Sequence, residues 1–146
     1  MDHVAIMNKK MGLIDKILDG RKTIESRWYK NRTLPWGKIK TGNRVFFKNS
    51  GELITVKAEV AKVLAFDNLT PKRVREILEK YGRDNGIAQE KMNYFYKLFS
   101  NKKYCLLIYL KKVEKIEPFE INKSGFGQMA AWMTVEDIGL RSITID

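Results

Sequence analysis

The segment from Leu53 to Ala65 constrains the fold of this chain most. Ile54, Val56, Ala58 and Val60 alternate with polar neighbours, and the apolar phase then slips by one residue to Ala61, Val63 and Ala65. Strict alternation is the pattern of a half-buried strand. A slip of phase within one strand predicts a β-bulge, which bends the strand and helps a sheet curl into a barrel. The chain therefore needs a curved sheet, and the remaining segments must supply its other strands.

They do so at regular intervals. Residues 3–7 read as a short first strand. Met11, Ile14 and Leu18 recur at helical spacing before Gly20, giving a helix over residues 11–19. Thr23 to Tyr29 reads as a second strand, followed by a loop holding Asn31, Pro35, Gly37 and Thr41-Gly42. Arg44 to Lys48 is a strand, and Asn49-Ser50-Gly51 turns it into the Leu53 segment. Thr70-Pro71 starts a helix with Val74, Ile77, Leu78 and Tyr81 on its buried stripe and Gly82 at its end. Ala88, Met92, Phe95 and Phe99 form the stripe of another helix. Residues 103–113 are nearly all apolar, as in a strand covered on both faces, and Pro118 is expected to close it. Trp132, behind Ala130 and Ala131, is either a stacking ring lying close to the backbone or part of a packed helix, and the helix is the expected fate. The prediction is one α+β domain over residues 1–146: a small β-barrel with packed helices and a helical insert at about 70–100.

Charge and the rarer residues narrow the function. The formal net charge is +11 and the pI about 9.7, which points to a polyanionic partner. Charge alone does not separate this from a basic protein kept dispersed by its lysines. The single cysteine, Cys105, sits in an apolar run and is read as an inert core residue in a reducing compartment. One histidine, His3, far from that cysteine, argues against a zinc site and against a Ser-His-Asp triad. No apolar stretch is long enough for a bilayer, and Asn8, Lys9 and Lys10 interrupt any signal core, so a cytoplasmic protein without metal, cofactor or membrane contact is expected.

The segment richest in chemistry is Gly20-Arg21-Lys22-Thr23-Ile24-Glu25-Ser26-Arg27-Trp28-Tyr29. Alternation puts Thr23, Glu25, Arg27 and Tyr29 on one strand face and Ile24, Ser26 and Trp28 on the other. A carboxylate beside an arginine can hold its planar fork ready for a phosphate or a base edge. Lys22, at the helix–strand junction, offers a point charge. The plainer reading is an exposed strand with a weak ion pair.

Gly20-x-Lys22-x-x-Glu25-x-Arg27 resembles the ASCH signature Gly-x-Lys-x-x-Glu-x-Arg, and Ile39 to Phe47 resembles that family's Lys-x-Gly-Asp-x-hydrophobic segment. The strand Ala58-Glu59-Val60-Ala61-Lys62-Val63 is also similar to a strand of the family. The likeness covers residues 12–65 and reaches loosely to 104–116. It implies a PUA-like β-barrel with a cleft beside the signature strand, binding RNA or a nucleotide. Related YTH and EVE domains hold a modified base between aromatic walls. In small bacterial ASCH members that hydrolyse the amide of N4-acetylcytidine, a Lys at the position of Lys22 and a Thr at that of Glu25 carry the chemistry. Here the Lys is present and Glu25 replaces the Thr nucleophile, leaving a carboxylate that could serve as a base on water.

Aromatic and tail residues complete the expected site. Trp36 lies among Lys30, Arg32, Lys38 and Lys40, and is either a stacking ring for a single strand or a lid folded back on the core. Trp28 shares the phase of Ile24 and is assigned to the core. Ser124 and Gln128 flank Gly125-Phe126-Gly127 and bring the polar groups a base-reading pocket needs; the segment lacks the spacing of a phosphate loop. Lys9-Lys10, Lys102-Lys103 and Lys111-Lys112 are read as solvated charge that could together form a phosphate track. The expected function is binding of RNA or a nucleotide through Lys22, Thr23, Glu25, Arg27, Tyr29, Trp36, Ser124 and Gln128. The alternatives are a hydrolase of RNA or a modified nucleoside, with Lys22 and Glu25 catalytic, and a protein adaptor docking through the insert.

Overall fold

In the computed structural model, residues 1–127 and 130–143 are described. The strands are β1 (Asp2–Met7), β2 (Ile24–Tyr29), β3 (Arg44–Asn49), β4 (Ile54–Phe66), β5 (Tyr104–Ile121), β6 (Trp132–Val135) and β7 (Ser142–Ile143). The helices are α1 (Leu13–Leu18), α2 (Pro71–Tyr81) and α3 (Met92–Phe99). Six strands lie side by side in the order β2-β5-β4-β3-β1-β6, and β7 pairs with the far end of β5. β1 and β3 are parallel and the other pairings antiparallel, so the sheet is mixed. It curls into an open α+β barrel.

Curling follows from the bulges. The β4–β5 register slips between Val60 and Lys62, where the apolar phase of β4 changes, and again between Lys57 and Glu59 and between Ile54 and Val56. Each slip adds twist at one point of the long ladder. Ile54, Val56, Ala58 and Val60 are fully buried, whereas Val63 joins the barrel interior, and Leu64 and Phe66 face the helices.

The helical insert explains the apolar run at the start of β5. Ile24 and Trp28 of β2 and Cys105 and Leu107 of β5 pack outward against Val74, Ile77 and Leu78 of α2, while Leu106 and Ile108 point into the barrel. Trp28 stacks on Phe99 of α3 at 4.7 Å, and burial pushes the Cys105 thiol well up, keeping it an inert thiol. The Thr70 hydroxyl caps α2 by accepting from the Arg73 amide at 3.2 Å, and Pro71 opens the first turn.

Two local expectations need correction. Pro118 does not end β5, which continues to Ile121. The register between β4 and β5 slips at this point, from Val56↔Lys115 to Ile54↔Phe119, so a residue without an amide proton leaves no ladder bond broken. Trp132 does not belong to a helix; it opens β6, which pairs antiparallel with β1. Its indole is buried among barrel residues and donates to His3 Nδ1 at 3.1 Å. A strand of four residues carries too little periodicity to be told from a helical turn by sequence.

Candidate functional site

The edge strands β2 and β6 come close without pairing, and the site lies in the gap. Arg27 bridges it: Nη1 donates to the Ala131 carbonyl at 3.3 Å, and the guanidinium stands 5.0 Å from the centre of the Trp132 ring. The same carbonyl takes the Ile6 amide at 3.0 Å. A cavity of about 460 Å³ opens here, lined by Arg27 and Tyr29 of β2, Thr33 and Leu34 of the next loop, and Gly125, Phe126 and Ala130 to Trp132 on the far side. Tyr29, Phe126 and Trp132 give it three aromatic surfaces.

Behind Arg27 lies a buried chain of charges. Glu25 Oε2 accepts from Arg27 Nη2 at 2.9 Å, and Oε1 is 3.1 Å from Lys22 Nζ. The Glu25 and Lys22 side chains are only 5% and 2% exposed. Lys22 also donates to the carbonyls of Ile24 at 2.7 Å and Asn85 at 2.8 Å, and to Asn85 Oδ1 at 2.6 Å. Burial works most strongly against ionised Glu25, yet Lys22 and Arg27 together outweigh it and hold the carboxyl below its ordinary range. Burial pushes Lys22 down, against the pull of Glu25. Arg27 Nε, by contrast, is buried with no hydrogen-bond partner among the described residues.

The helical insert closes this chain from outside. Asn85, after α2, spends its side-chain oxygen on Lys22 and its Nδ2 on Ser26 Oγ at 2.7 Å. Gly86, with φ of +79°, lets the loop press against Lys22; a Cβ there would sit 3.2 Å from the lysine Cβ. Asn85 is one site residue that sequence reading missed. It lies in a turn, among Asp84 and Gly86, with no pattern to mark its side chain as a lysine ligand.

The remaining expected residues fall in different places. Tyr29 lines the cavity, and its hydroxyl, whose pKa burial pushes well up, stays protonated and donates to the Leu34 carbonyl at 3.0 Å. Thr23 is exposed and lies outside the cavity lining. Trp36 is half-buried: it packs on the barrel core, edge-on to Tyr104 at 5.2 Å, under the Arg32 guanidinium at 5.7 Å. Of its two expected fates, the lid on the core is the one adopted. Ser124 is exposed outside the lining, although its neighbours Gly125 and Phe126 belong to it. Gln128 lies outside the described residues.

His3, read from sequence only as a lone terminal residue, supports the cavity wall. Its Nδ1 accepts from the Trp132 indole, and its Nε2 lies 2.9 Å from Asn43 Oδ1, an acceptor that also takes the Lys40 amide. That pattern assigns the ring proton to Nε2. Among the described residues no three His, Cys, Asp or Glu side chains gather as metal ligands, and no helix is long and apolar enough to cross a membrane.

The sequence matches no family model and no curated protein. Solved structures do match by shape. A point variant of ASCH from Zymomonas mobilis aligns over 95% of this chain and 93% of its own, with a TM-score of 0.68 at 14% identity. The parent ASCH from Zymomonas mobilis aligns over 92% and 87%, with a TM-score of 0.65 at 15% identity. The N-terminal domain of Staphylothermus marinus McrB aligns over 92% and 87%, with a TM-score of 0.58 at 16% identity. At these identities the likeness speaks for the backbone, and over nearly its whole length this chain has the fold of an ASCH domain.

Proposed function

We propose that the chain binds RNA or a nucleotide in the cavity between β2 and β6, with Arg27 as the anchoring group. The observation that carries this reading is the state of Arg27. Its guanidinium is oriented from behind by Glu25, stands beside the Trp132 ring, and keeps Nε buried without a partner among the described residues at a cavity with aromatic walls. A buried donor left open is unfavourable, and a phosphate oxygen or base acceptor would satisfy it. Tyr29, Phe126 and Trp132 supply surfaces for a base, whose stacking contributes about 1–3 kcal/mol. Lys22 and Glu25 act in this reading as positioning residues, and the setting is the cytoplasm. Hydrolysis finds less support. Glu25, held low by two cations, is a weak base near neutral pH, and the Lys22 ammonium already serves three acceptors of the backbone and Asn85 besides the carboxylate.

The test is calorimetric titration of cytidine and adenosine monophosphates and of a six-nucleotide mixed RNA against the protein and Arg27→Lys. Lysine keeps the charge but loses the fork. Binding of at least one ligand that weakens about tenfold or more in the variant is expected, matching loss of a charge-assisted hydrogen bond. Equal affinity in both proteins would remove Arg27 as the anchor.

A further inference from the structure

The charge of this chain is unevenly placed. Residues 26–51 hold seven Lys or Arg and no Asp or Glu, and residues 91–113 hold six and none. The other residues hold 15 basic and 17 acidic side chains, so the two acid-free stretches account for the whole positive excess. The fold brings them together. β2, inside the first stretch, pairs with the start of β5, inside the second, with Tyr29 opposite Tyr104. The Lys103 amide donates to the Tyr29 carbonyl at 2.9 Å, and the Arg32 guanidinium lies 5.5 Å from the Tyr104 ring.

This end of the β2–β5 ladder borders the cavity. Tyr29 belongs to both, and Thr33 and Leu34, which also line the cavity, lie in the loop that Lys30 opens. Lys30 and Lys103 are exposed and Lys102 is partly so; none forms an ion pair among the described residues. Asp67, just past β4, is the carboxylate that strand pairing brings nearest, and it too is without an ion pair there. Three unpaired ammonium groups beside an aromatic cavity match a chain with one phosphate per base.

Resting on the reading above, we infer that the natural ligand is a single-stranded polynucleotide several nucleotides long. One nucleotide occupies the cavity, and the phosphates of its neighbours cross the end of the β2–β5 ladder on Lys30, Lys102 and Lys103. Each phosphate neutralised on a single strand contributes about 0.7 to the slope of log K against log salt concentration.

The experiment compares the protein with the combined variant Lys30→Gln/Lys102→Gln/Lys103→Gln in salt titrations. The ligands are a ten-nucleotide RNA, the same sequence as DNA, a mononucleotide, inorganic polyphosphate of equal charge, and vesicles rich in phosphatidylserine. The expected variant has a ten-nucleotide slope lower by about 2 and an affinity at 0.1 M salt about 100-fold weaker. Its mononucleotide affinity is unchanged, and the corresponding triple Lys→Arg variant restores the slope. RNA against DNA shows whether the 2′-hydroxyl is read; either preference is compatible with the phosphate path. An unchanged ten-nucleotide slope overturns the inference, as does equal weakening of mononucleotide and ten-nucleotide binding. Polyphosphate competing as well as RNA, or vesicle binding that alone depends on the three lysines, overturns it too. Loss of all nucleotide binding with Arg27→Lys but a normal lysine slope overturns the path and leaves the cavity; failure of every nucleotide to bind the unaltered protein overturns both.

Discussion

Glu25→Gln tests the buried charge chain that holds the site. The substitution keeps shape and removes one negative charge lying 3.1 Å from Lys22 and 2.9 Å from Arg27. Breaking a buried ion pair by deleting one partner costs roughly 3–5 kcal/mol, because the other charge is left uncompensated. Two features place this case at the lower end. Lys22 already has its pKa pushed down by burial and can shed its proton, and the Arg27 side chain, 14% exposed, can recruit water. A loss of about 3 kcal/mol is expected, a large share of the ~5–15 kcal/mol that stabilises a domain. For a chain of this size it lowers Tm by roughly 6–12 °C. Urea denaturation at pH 7, followed by both circular dichroism and tryptophan fluorescence, gives the value. The sign with pH is fixed: the folded-state pKa of Glu25 lies below its ordinary value of 4.5, so its contribution is complete above that pH and is lost as pH falls. Glu25→Gln should lose that acid-dependent part. A loss under ~1 kcal/mol would refute the reasoning, as would coupling below ~0.5 kcal/mol in a double-mutant cycle with Lys22→Met.

Two further outcomes follow from residues around the cavity. Burial holds the His3 pKa below its ordinary 6.5, against a hydrogen bond to Asn43, with the N-terminal ammonium lowering it and Asp2 raising it. The unfolded chain therefore binds the extra proton first, so stability falls as pH drops below 6.5; melting at pH 7.5 and 5.5 should show this fall, and His3→Gln should flatten it. Trp36→Ala removes a half-buried ring packed on Tyr104, and should lower stability by roughly 1–3 kcal/mol in urea denaturation, below the cost of a fully buried aromatic. An unchanged midpoint would mean that the ring does not cover the core in solution.

Legibility in the sequence followed the strength of each periodic signal. The phase slip near Ala61 announced a bulge and a curled sheet, and the Val74–Tyr81 stripe announced α2, because both patterns extend over many residues. Pairing of β1 with β3 and β6 was not legible: it joins residues more than forty positions apart, and nothing in a six-residue strand names its neighbours. The same limit hid the cavity. Glu25, Arg27 and Tyr29 could be placed on one face from alternation alone, but the wall opposite them, Gly125, Phe126 and Ala130 to Trp132, comes from a tail whose strand is four residues long. Asn85 and His3 were missed because their roles rest on a few long-range hydrogen bonds, which leave no periodicity.

The position of Lys22 bears on how the signature works in this chain. In a catalytic reading its ammonium would need access to substrate, yet Asn85 and the Gly86 turn close over it and it is 2% exposed. What the buried lysine can still do is electrostatic. It neutralises Glu25, and with Arg27 it keeps the carboxylate ionised in a place that burial would otherwise make unfavourable. An ionised Glu25 in turn fixes one edge of the Arg27 fork, leaving the remainder of the guanidinium to the Ala131 carbonyl and the cavity. The order Lys22, Glu25, Arg27 along the strand thus becomes an order in depth, from sealed to half-open. A carboxylate at the middle position suits that arrangement, because a neutral hydroxyl could not balance two cations. The three side chains together hold the Arg27 fork in one orientation at the edge of the cavity.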